Sequence, residues 1–469
     1  MFRLLKNKHT VLLILILALG LFLRVSLSSD QCVHKWDERF HALVSKNLLK
    51  HPLKPTLYET PLLKYNYKHW YANHIWLHKQ PLPMWLIASS YSLFGCGTFQ
   101  TRIPSLILSL FAIYVLFLLG RALFNEKVGL LAAFFLSING LLIEMGSGRV
   151  ATDHYDALYM VFILISIYFA LKNSKSGNML FSILSGVFIG IAILTKWLPC
   201  LIVIPIHFFL LKNERSDLKN SLKQISISMI CAAVISLPWQ FYILKNYPLE
   251  ANWEYHYNAL HFTEVLDQQG GSAFYYVNKI RINYSEIVYA PLLCLIIQVA
   301  TEKFSNAKNN ALLFWILAPI VFFSMISTKM QGYIAFICPA LFIVTANFFF
   351  EVKDKWLASS KKILVRGISI LFLILMIALP IRYCFERTSF GFGEQKCDAY
   401  ASIYKSFENQ LSENCVVFNV KEPIDLMFYT NCVAYSNPNI MESDTKKITA
   451  LGYKIFFLSD DCRSLKQLN

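Results

Sequence analysis

A chain of 469 residues in which 56% are apolar and only 16% charged, with a mean hydropathy of +0.45, lies outside the range of soluble domains. Its formal charge of +15 is spread over short Lys and Arg clusters between apolar runs rather than in the continuous patch a nucleic acid would need, so the clusters read as membrane-topology signals. No Walker-type loop, GxGxxG, CxxC, HExxH or nucleophile elbow occurs, so soluble nucleotide chemistry is unsupported.

The chain begins with a basic segment, Met1 to His9, followed by the apolar run Thr10 to Ser28, long enough to span and without a small-residue cleavage site. It reads as a retained anchor. The polar stretch His34 to Trp85 comes next and carries HKWDERFHA and WLHKQPLPMW. An acidic pair such as Asp37 and Glu38 can act as general base, cation ligand, or solvated charge at a helix start. His78 and Lys79 precede Gln80-Pro81-Leu82-Pro83, a turn stiffened by its prolines that can hold a cation against an anionic ligand. Leu82 to Cys96 is too short to cross and is expected to lie in the interface as an amphipathic helix.

Apolar runs then occupy roughly 103–123, 128–146, 155–172, 178–195, 197–211, 224–244, 286–301, 311–327, 332–350 and 363–383. With the first run these predict an all-α polytopic membrane protein of about 11 spans, up to about 13. At the junction Gly146-Ser147-Gly148-Arg149, the acids Asp153 and Asp156 either cap the helix that follows or serve a site near membrane depth. Lys196 and Lys329 stand at span ends, where snorkelling and function are both open. The polar 245–285 loop holds Glu254, His256, His261 and Asp267 without a zinc-like spacing.

With the N-terminus inside, most Lys and Arg fall on the inner side, so the first loop (29–101), the second loop (245–285) and the tail are expected on the outer face. Residues 385–469 form a second unit after a membrane region of 1–384, with strand-like runs Val416 to Val420, Leu426 to Tyr429 and Tyr453 to Leu458 that suggest a small α/β domain. Its cysteines Cys397, Cys415, Cys432 and Cys462 permit disulfides in three connectivities. No internal repeat is evident.

An acidic pair and a Lys-Pro turn on one outer loop, joined by Arg149, Asp156, Lys196 and Lys329, would converge on one cavity at the membrane surface. Such a cavity suits a lipid-borne anion: cations stabilise a departing phosphate while a carboxylate takes a proton from an attacking hydroxyl. The rival in another class is a transporter or flippase of a lipid-linked sugar, whose charges would line a crossing path.

WDE in the first outer loop, HKQPLPMW later in it, FGCGTFQTRIPS, the GR…D junction, LTKWLP and TKMQGYIAFICP together resemble the C superfamily of membrane glycosyltransferases. Within it the protein O-mannosyltransferases and the ArnT-like lipid A aminoarabinose transferases are most similar. The resemblance reaches to about residue 350 and implies a polyprenyl-phosphate (undecaprenyl-type) sugar donor, a lipid, glycan or protein acceptor, and an inner-membrane enzyme working on the periplasmic face. It implies Asp37 as catalytic base with Glu38 beside it, Lys79 on the carrier phosphate, and Asp156, preferred over Asp153, as the later acid; Arg149, Lys196 and Lys329, cations at outer helix ends, would support Lys79 on the phosphate. This chain has Gln80 between Lys79 and the first proline and His78 where the lipid A branch carries glutamate. A divalent cation, where one takes part, would draw on Glu38, His78 and His261. The family's outer C-terminal domain corresponds to residues 385–469.

Overall fold

The computed structural model describes residues 8–150, 154–214, 217–357, 363–411 and 414–468. Among them eight helices are long and apolar enough to cross a membrane, ten if each of two bent pairs counts as one span. The first is α1 (Lys8–Ser28), followed by two shorter helices of the first loop, α2 (Asp37–Leu48) and α3 (Leu82–Phe94). The bundle continues with α4 (Thr98–Leu123), α5 (Glu126–Ser137), α6 (Gly140–Gly146), α7 (His154–Ser176), α8 (Met179–Lys196), α9 (Val203–Glu214) and α10 (Leu218–Asn246). The second loop supplies α11 (Pro248–Thr263), and α12 (Tyr275–Tyr284), α13 (Tyr289–Thr301), α14 (Ala307–Met325), α15 (Cys338–Glu351) and α16 (Ile363–Thr388) complete the membrane part. The chain is a multi-pass, mostly helical membrane protein.

Every apolar run of the sequence falls on a helix, but not every run is one straight span. The run 128–146 bends by 57° between α5 and α6. Asn139 makes the bend: its side-chain oxygen accepts from Leu142 N–H to start α6, and its amide donates to the Asn283 carbonyl at 2.8 Å. Arg24, buried in α1, donates to the Leu136 and Ser137 carbonyls at the end of α5 and to Ser109 Oγ, so this intramembrane cation is satisfied by a helix end. The run 286–301 is likewise joined to α12 through a turn of 116°, and 197–211 falls on a shorter apolar helix, Leu198–Lys212. Between α8 and α10 the backbones touch: a Cβ on Gly186 would lie 2.2 Å from the Ser228 carbonyl oxygen, and one on Gly190, four residues on, 2.6 Å from Ile235. Small residues at that spacing let membrane helices pack closely.

The short α3 corrects one expectation. It packs Met84, Ile87 and Tyr91 inward, while its outward side mixes Ser89 and Ser92 with Leu93 and Phe94, 75% and 59% exposed. It is a short apolar helix built into the protein rather than an amphipathic one.

The tail contains α17 (Ala399–Ser406), β1 (Cys415–Phe418), α18 (Pro423–Tyr429), β2 (Val433–Ala434), α19 (Glu442–Ala450), β3 (Lys454–Leu458) and β4 (Leu465–Gln467). The sheet order is β2-β1-β3-β4, with β1 parallel to both neighbours and β4 antiparallel. The run Leu426 to Tyr429, expected as a strand, lies in the helix α18, started by Pro423; a short helix buried from Ile424 onward shows no periodicity to separate it from a strand. Disulfides join Cys32 to Cys397 and Cys415 to Cys432, leaving Cys462 free. The partner of Cys397 therefore lies in the first loop, not in the tail. One hydrophobic cluster continues the junction, with Phe40, Leu43, Val44 and Leu48 of α2 against Tyr404, Leu426 and Phe428. Burial of each such side chain contributes ~1.5–3 kcal/mol.

Candidate active site

The first loop turns sharply at Trp36, whose φ of 71° is left-handed, and Asp37 opens α2 immediately after it. Asp37 thus sits at the positive end of the helix dipole. Its carboxylate lies 3.1 Å from the Lys79 ammonium, and both side chains keep solvent access, at 22% and 29%. Burial works to raise the Asp37 carboxyl, but Lys79, His41 and His78 outweigh it and hold the group below its ordinary value. Lys79 is delivered by the Lys-Pro turn: Pro81 precedes α3, Gln80 is buried, its carbonyl accepts from Tyr155 Oη at 3.0 Å, and its side chain accepts from Gln240 at 2.9 Å. Gln80, the residue that interrupts the Lys-Pro pattern, is what ties the turn to α7 and α10.

A second ammonium–carboxylate pair forms between Lys196, at the end of α8, and Asp156, in the first turn of α7. The same ammonium lies 4.8 Å from the centroid of the Tyr333 ring. Tyr333 is within electrostatic reach of Asp156, Asp37 and Asp267, so both pairs lie in the neighbourhood of its ring. His261 belongs to the same surroundings. Burial, then Lys79 and His78, lowers its imidazole, and its Nδ1–H donates to the Tyr257 carbonyl at 3.1 Å, leaving Nε2 as an acceptor. His78 stacks on Trp70 with centroids 4.5 Å apart and binds Glu254 through Nδ1 at 3.1 Å.

Three expected site residues are committed elsewhere. Glu38 is fully buried; its carboxylate accepts from Arg102 Nε at 2.7 Å and Nη2 at 3.1 Å and from the His34 N–H at 2.6 Å, with His154 Nε2 at 3.3 Å. Burial opposes its ionisation, yet Arg102 and His34 hold it well below the ordinary range. Arg149 is engaged in two parallel hydrogen bonds to Asp30, at 2.6 and 2.7 Å, which occupy the fork that a phosphate would need. Lys329 is 6% exposed and turns its ammonium to the Ile326 carbonyl at the end of α14. In this structure Glu38 and Arg149 are engaged in a buried anchor, and the Lys329 ammonium caps the end of α14. Asp153 lies outside the described residues.

The metal candidates do not assemble. Among the described residues no group of three or more His, Cys, Asp or Glu is arranged to hold an ion, and Glu38 is walled in by Arg102 while His78 faces Glu254. The donor set Glu38, His78 and His261 does not fit a shared cation.

The anchor itself escaped the sequence reading. Arg102 is fully buried in the first turns of α4 and also donates to the carbonyls of Ser28, Asp30 and Cys32. A cation just inside a span requires a partner, and that signal was present in TFQTRIPS. Asp30 completes the set, bound by His34 and Arg149. Gly148 explains the Gly-Ser-Gly-Arg motif: its φ is +72°, and a Cβ there would come 2.5 Å from the Glu38 carboxyl carbon. Gly148→Ala is expected to lose at least ~2 kcal/mol, from the left-handed backbone and the displaced carboxylate together. Thermal unfolding in detergent measures this, and an unchanged midpoint would refute it.

The anchor also sets a pH window. Although burial opposes it, hydrogen bonds from His34 and Arg149 lower the Asp30 carboxyl to about 2, so its contribution, on the order of 2 kcal/mol, is present above its unfolded value and lost as pH falls through the folded one. His34 is raised against burial by Glu38 and Asp30, so its contribution is complete below about 6.5 and fades as pH rises through the folded value. Thermal midpoints should therefore peak between about pH 4 and 6.5, and His34→Gln should flatten the alkaline side; equal alkaline slopes in both proteins would count against the assignment.

A family model, dolichyl-phosphate-mannose-protein mannosyltransferase, matches residues 78–239. Among curated proteins, the undecaprenyl phosphate-α-4-amino-4-deoxy-L-arabinose arabinosyl transferase 1 of Pseudomonas fluorescens is 24% identical over 258 residues, 53% of this chain and 46% of that one. The corresponding transferase of Pseudomonas aeruginosa is 25% identical over 340 residues, 68% and 56%. The chain spans about half the length of the curated relatives it matches. The fold is similar to that of ArnT from Cupriavidus metallidurans bound to undecaprenyl phosphate, with a TM-score of 0.62, 16% identity and coverage of 96% and 93%. It is also similar to the oligosaccharyltransferase of Archaeoglobus fulgidus, with a TM-score of 0.65, 14% identity and coverage of 97% and 70%.

Proposed function

We propose that this chain is an ArnT-like member of the C superfamily of membrane glycosyltransferases and that it transfers a sugar from a polyprenyl-phosphate donor to an acceptor hydroxyl or amine. The observation that carries the reading is the solvent-reached Asp37–Lys79 pair at 3.1 Å, set beside the Asp156–Lys196 pair. A base and a phosphate-binding cation are what single displacement requires. The acceptor oxygen or nitrogen bonds to the anomeric carbon as the carbon–phosphate oxygen bond breaks. The acceptor's proton passes to Asp37, and the electron pair leaves with the carrier phosphate, whose growing charge Lys79 stabilises. Inversion at the anomeric carbon follows, with no covalent enzyme intermediate.

Lys79 has two anions to serve in this scheme. While it pairs with Asp37 it depresses the carboxyl and makes a weak base; a donor phosphate that draws the ammonium away restores basicity where the proton must be received. Asp156, held by Lys196 next to Tyr333, is the second acid and is assigned to orienting donor or acceptor. The excess of Lys and Arg on the opposite side of the spans supports an orientation with the N-terminus cytoplasmic, and with the first loop, α11 and residues 385–469 on the outer face of the inner membrane. The membrane region 1–384 and the tail are assigned as two functional units.

The test is transfer by the purified chain in lipid nanodiscs from a panel of polyprenyl-phosphate sugars to cell-envelope lipids, glycans and proteins. Product is expected from at least one pair, with release of polyprenyl phosphate. Donor that binds and crosses vesicle membranes while no acceptor in the panel is ever modified would replace the enzyme with a transporter.

A further inference from the structure

The sequence around Asp37 alternates in what it touches. Lys35, two residues before it, binds Asp398 at 2.7 Å, and Arg39, two residues after it, binds Glu422 at 2.5 Å and Asp425 at 3.3 Å. All three carboxylates belong to the tail. Asp398 also caps α17, accepting from the Tyr400 N–H, and Glu422 immediately precedes α18, so each partner is fixed at a helix start. At the other end of α2, Lys46 donates to the carbonyls of Met427, Phe428 and Thr430, the last turn of α18. The helix is therefore pinned to α18 at both of that helix's ends. Just upstream, Val33 N–H donates to Tyr429 Oη at 2.8 Å and Cys32 is bonded to Cys397.

Two residues along a helix are about 200° apart, so Asp37 and Arg39 point to opposite sides of α2. One side meets Lys79 and the other meets the tail. We propose that the C-terminal unit is a positioning element for sugar transfer, with Arg39, gripped by Glu422 and Asp425, fixing the rotation and height of the first turn of α2 and with it the Asp37 carboxylate. This inference rests on Asp37 being the base. Glu38 holds the same turn to the membrane part through Arg102, so the carboxylate is fixed from two sides. Loss of the tail's grip at Arg39 lets the first turn shift about the Glu38–Arg102 contact, and a misplacement of about 1 Å in a reacting group can cost on the order of 100-fold in rate.

The experiment uses the full chain in nanodiscs with the donor and acceptor found active for the wild type, and compares Arg39→Ala, Arg39→Lys, Asp398→Asn and Asp37→Asn. Arg39→Ala is expected to lower kcat about 10- to 100-fold with donor KM unchanged, Arg39→Lys to retain most of kcat, and amide exchange in 37–48 to quicken while the spans keep their protection. Wild-type kcat and exchange in Arg39→Ala would overturn the proposal, as would a raised KM with kcat intact. Should Arg39→Ala fail to fold, Asp398→Asn decides, since it releases only the partly exposed Lys35: a reduced kcat at constant KM supports the clamp and wild-type behaviour overturns it. Full activity in Asp37→Asn means the base reading has failed; the clamp then stands or falls on exchange at 37–48 in Arg39→Ala.

Discussion

Asp37→Asn is expected to reduce sugar transfer by about 10²- to 10⁴-fold while leaving donor binding in place. The substitution keeps the shape of the side chain and the start of α2 but removes the only atom in the scheme that can receive the acceptor's proton. Binding should persist because the phosphate is held by Lys79, and without a carboxylate at 3.1 Å that ammonium is freer to bind it. A modest gain in donor affinity with loss of turnover is therefore the signature, and it separates a missing base from a damaged site, where both would fall together. The comparison is single-turnover transfer beside equilibrium binding of the donor. Undiminished transfer in the variant would move the base elsewhere, first to Asp156, whose ammonium partner Lys196 repeats the same arrangement on α7 and α8.

Both carboxylate–lysine pairs were legible as residues in the sequence, since Asp37, Lys79, Asp156 and Lys196 stand out as charges at the edges of apolar runs. Their pairing was not. Asp37 and Lys79 share a loop, but the turn that brings them together depends on Trp36 taking a left-handed φ and on Gln80 being tied to Tyr155 and Gln240, contacts that no local pattern encodes. The engagement of Glu38 was hidden for a related reason. An acid next to Asp37 in a polar loop looks available, and its neutralising partner, Arg102, lies 64 residues away at the start of a different helix. Arg149 was assigned to phosphate because Asp30, at the end of the first span, carried no motif of its own. The membrane part was legible because a span needs an unbroken apolar run. Its bends were not, since they are made by single side chains such as Asn139 and Arg24 reaching across helices. In the tail the run 426–429 is helix where a strand is expected, β2 and β4 are added, and a disulfide reaches Cys32, because a short buried run fits helix or strand equally and cysteine pairing is a matter of three-dimensional proximity.

Arg102→Ala is expected to be the most damaging substitution away from the reacting atoms, with a loss of about 3–5 kcal/mol in stability. Arg102 has no exposed surface, and its removal leaves Glu38 buried and ionised with only histidines against it, besides freeing the carbonyls of Ser28, Asp30 and Cys32. Those carbonyls form the passage from α1 into the first loop, so the loss should spread to Asp37 through the next turn of chain. A pair of this kind can nevertheless contribute little by itself, since an apolar replacement of both partners avoids the desolvation that each charge suffers. The double variant Arg102→Met with Glu38→Leu should accordingly recover much of the stability lost by Arg102→Ala or Glu38→Leu alone, and a double-mutant cycle on thermal midpoints in detergent measures the coupling. Recovered stability with poor transfer would show that the pair serves to place α2 against Lys79 rather than to hold the fold together. A double variant no more stable than the singles would mean that the carbonyls, and not Glu38, are the chief partners of Arg102, and the anchor would then have to be redrawn around the end of α1.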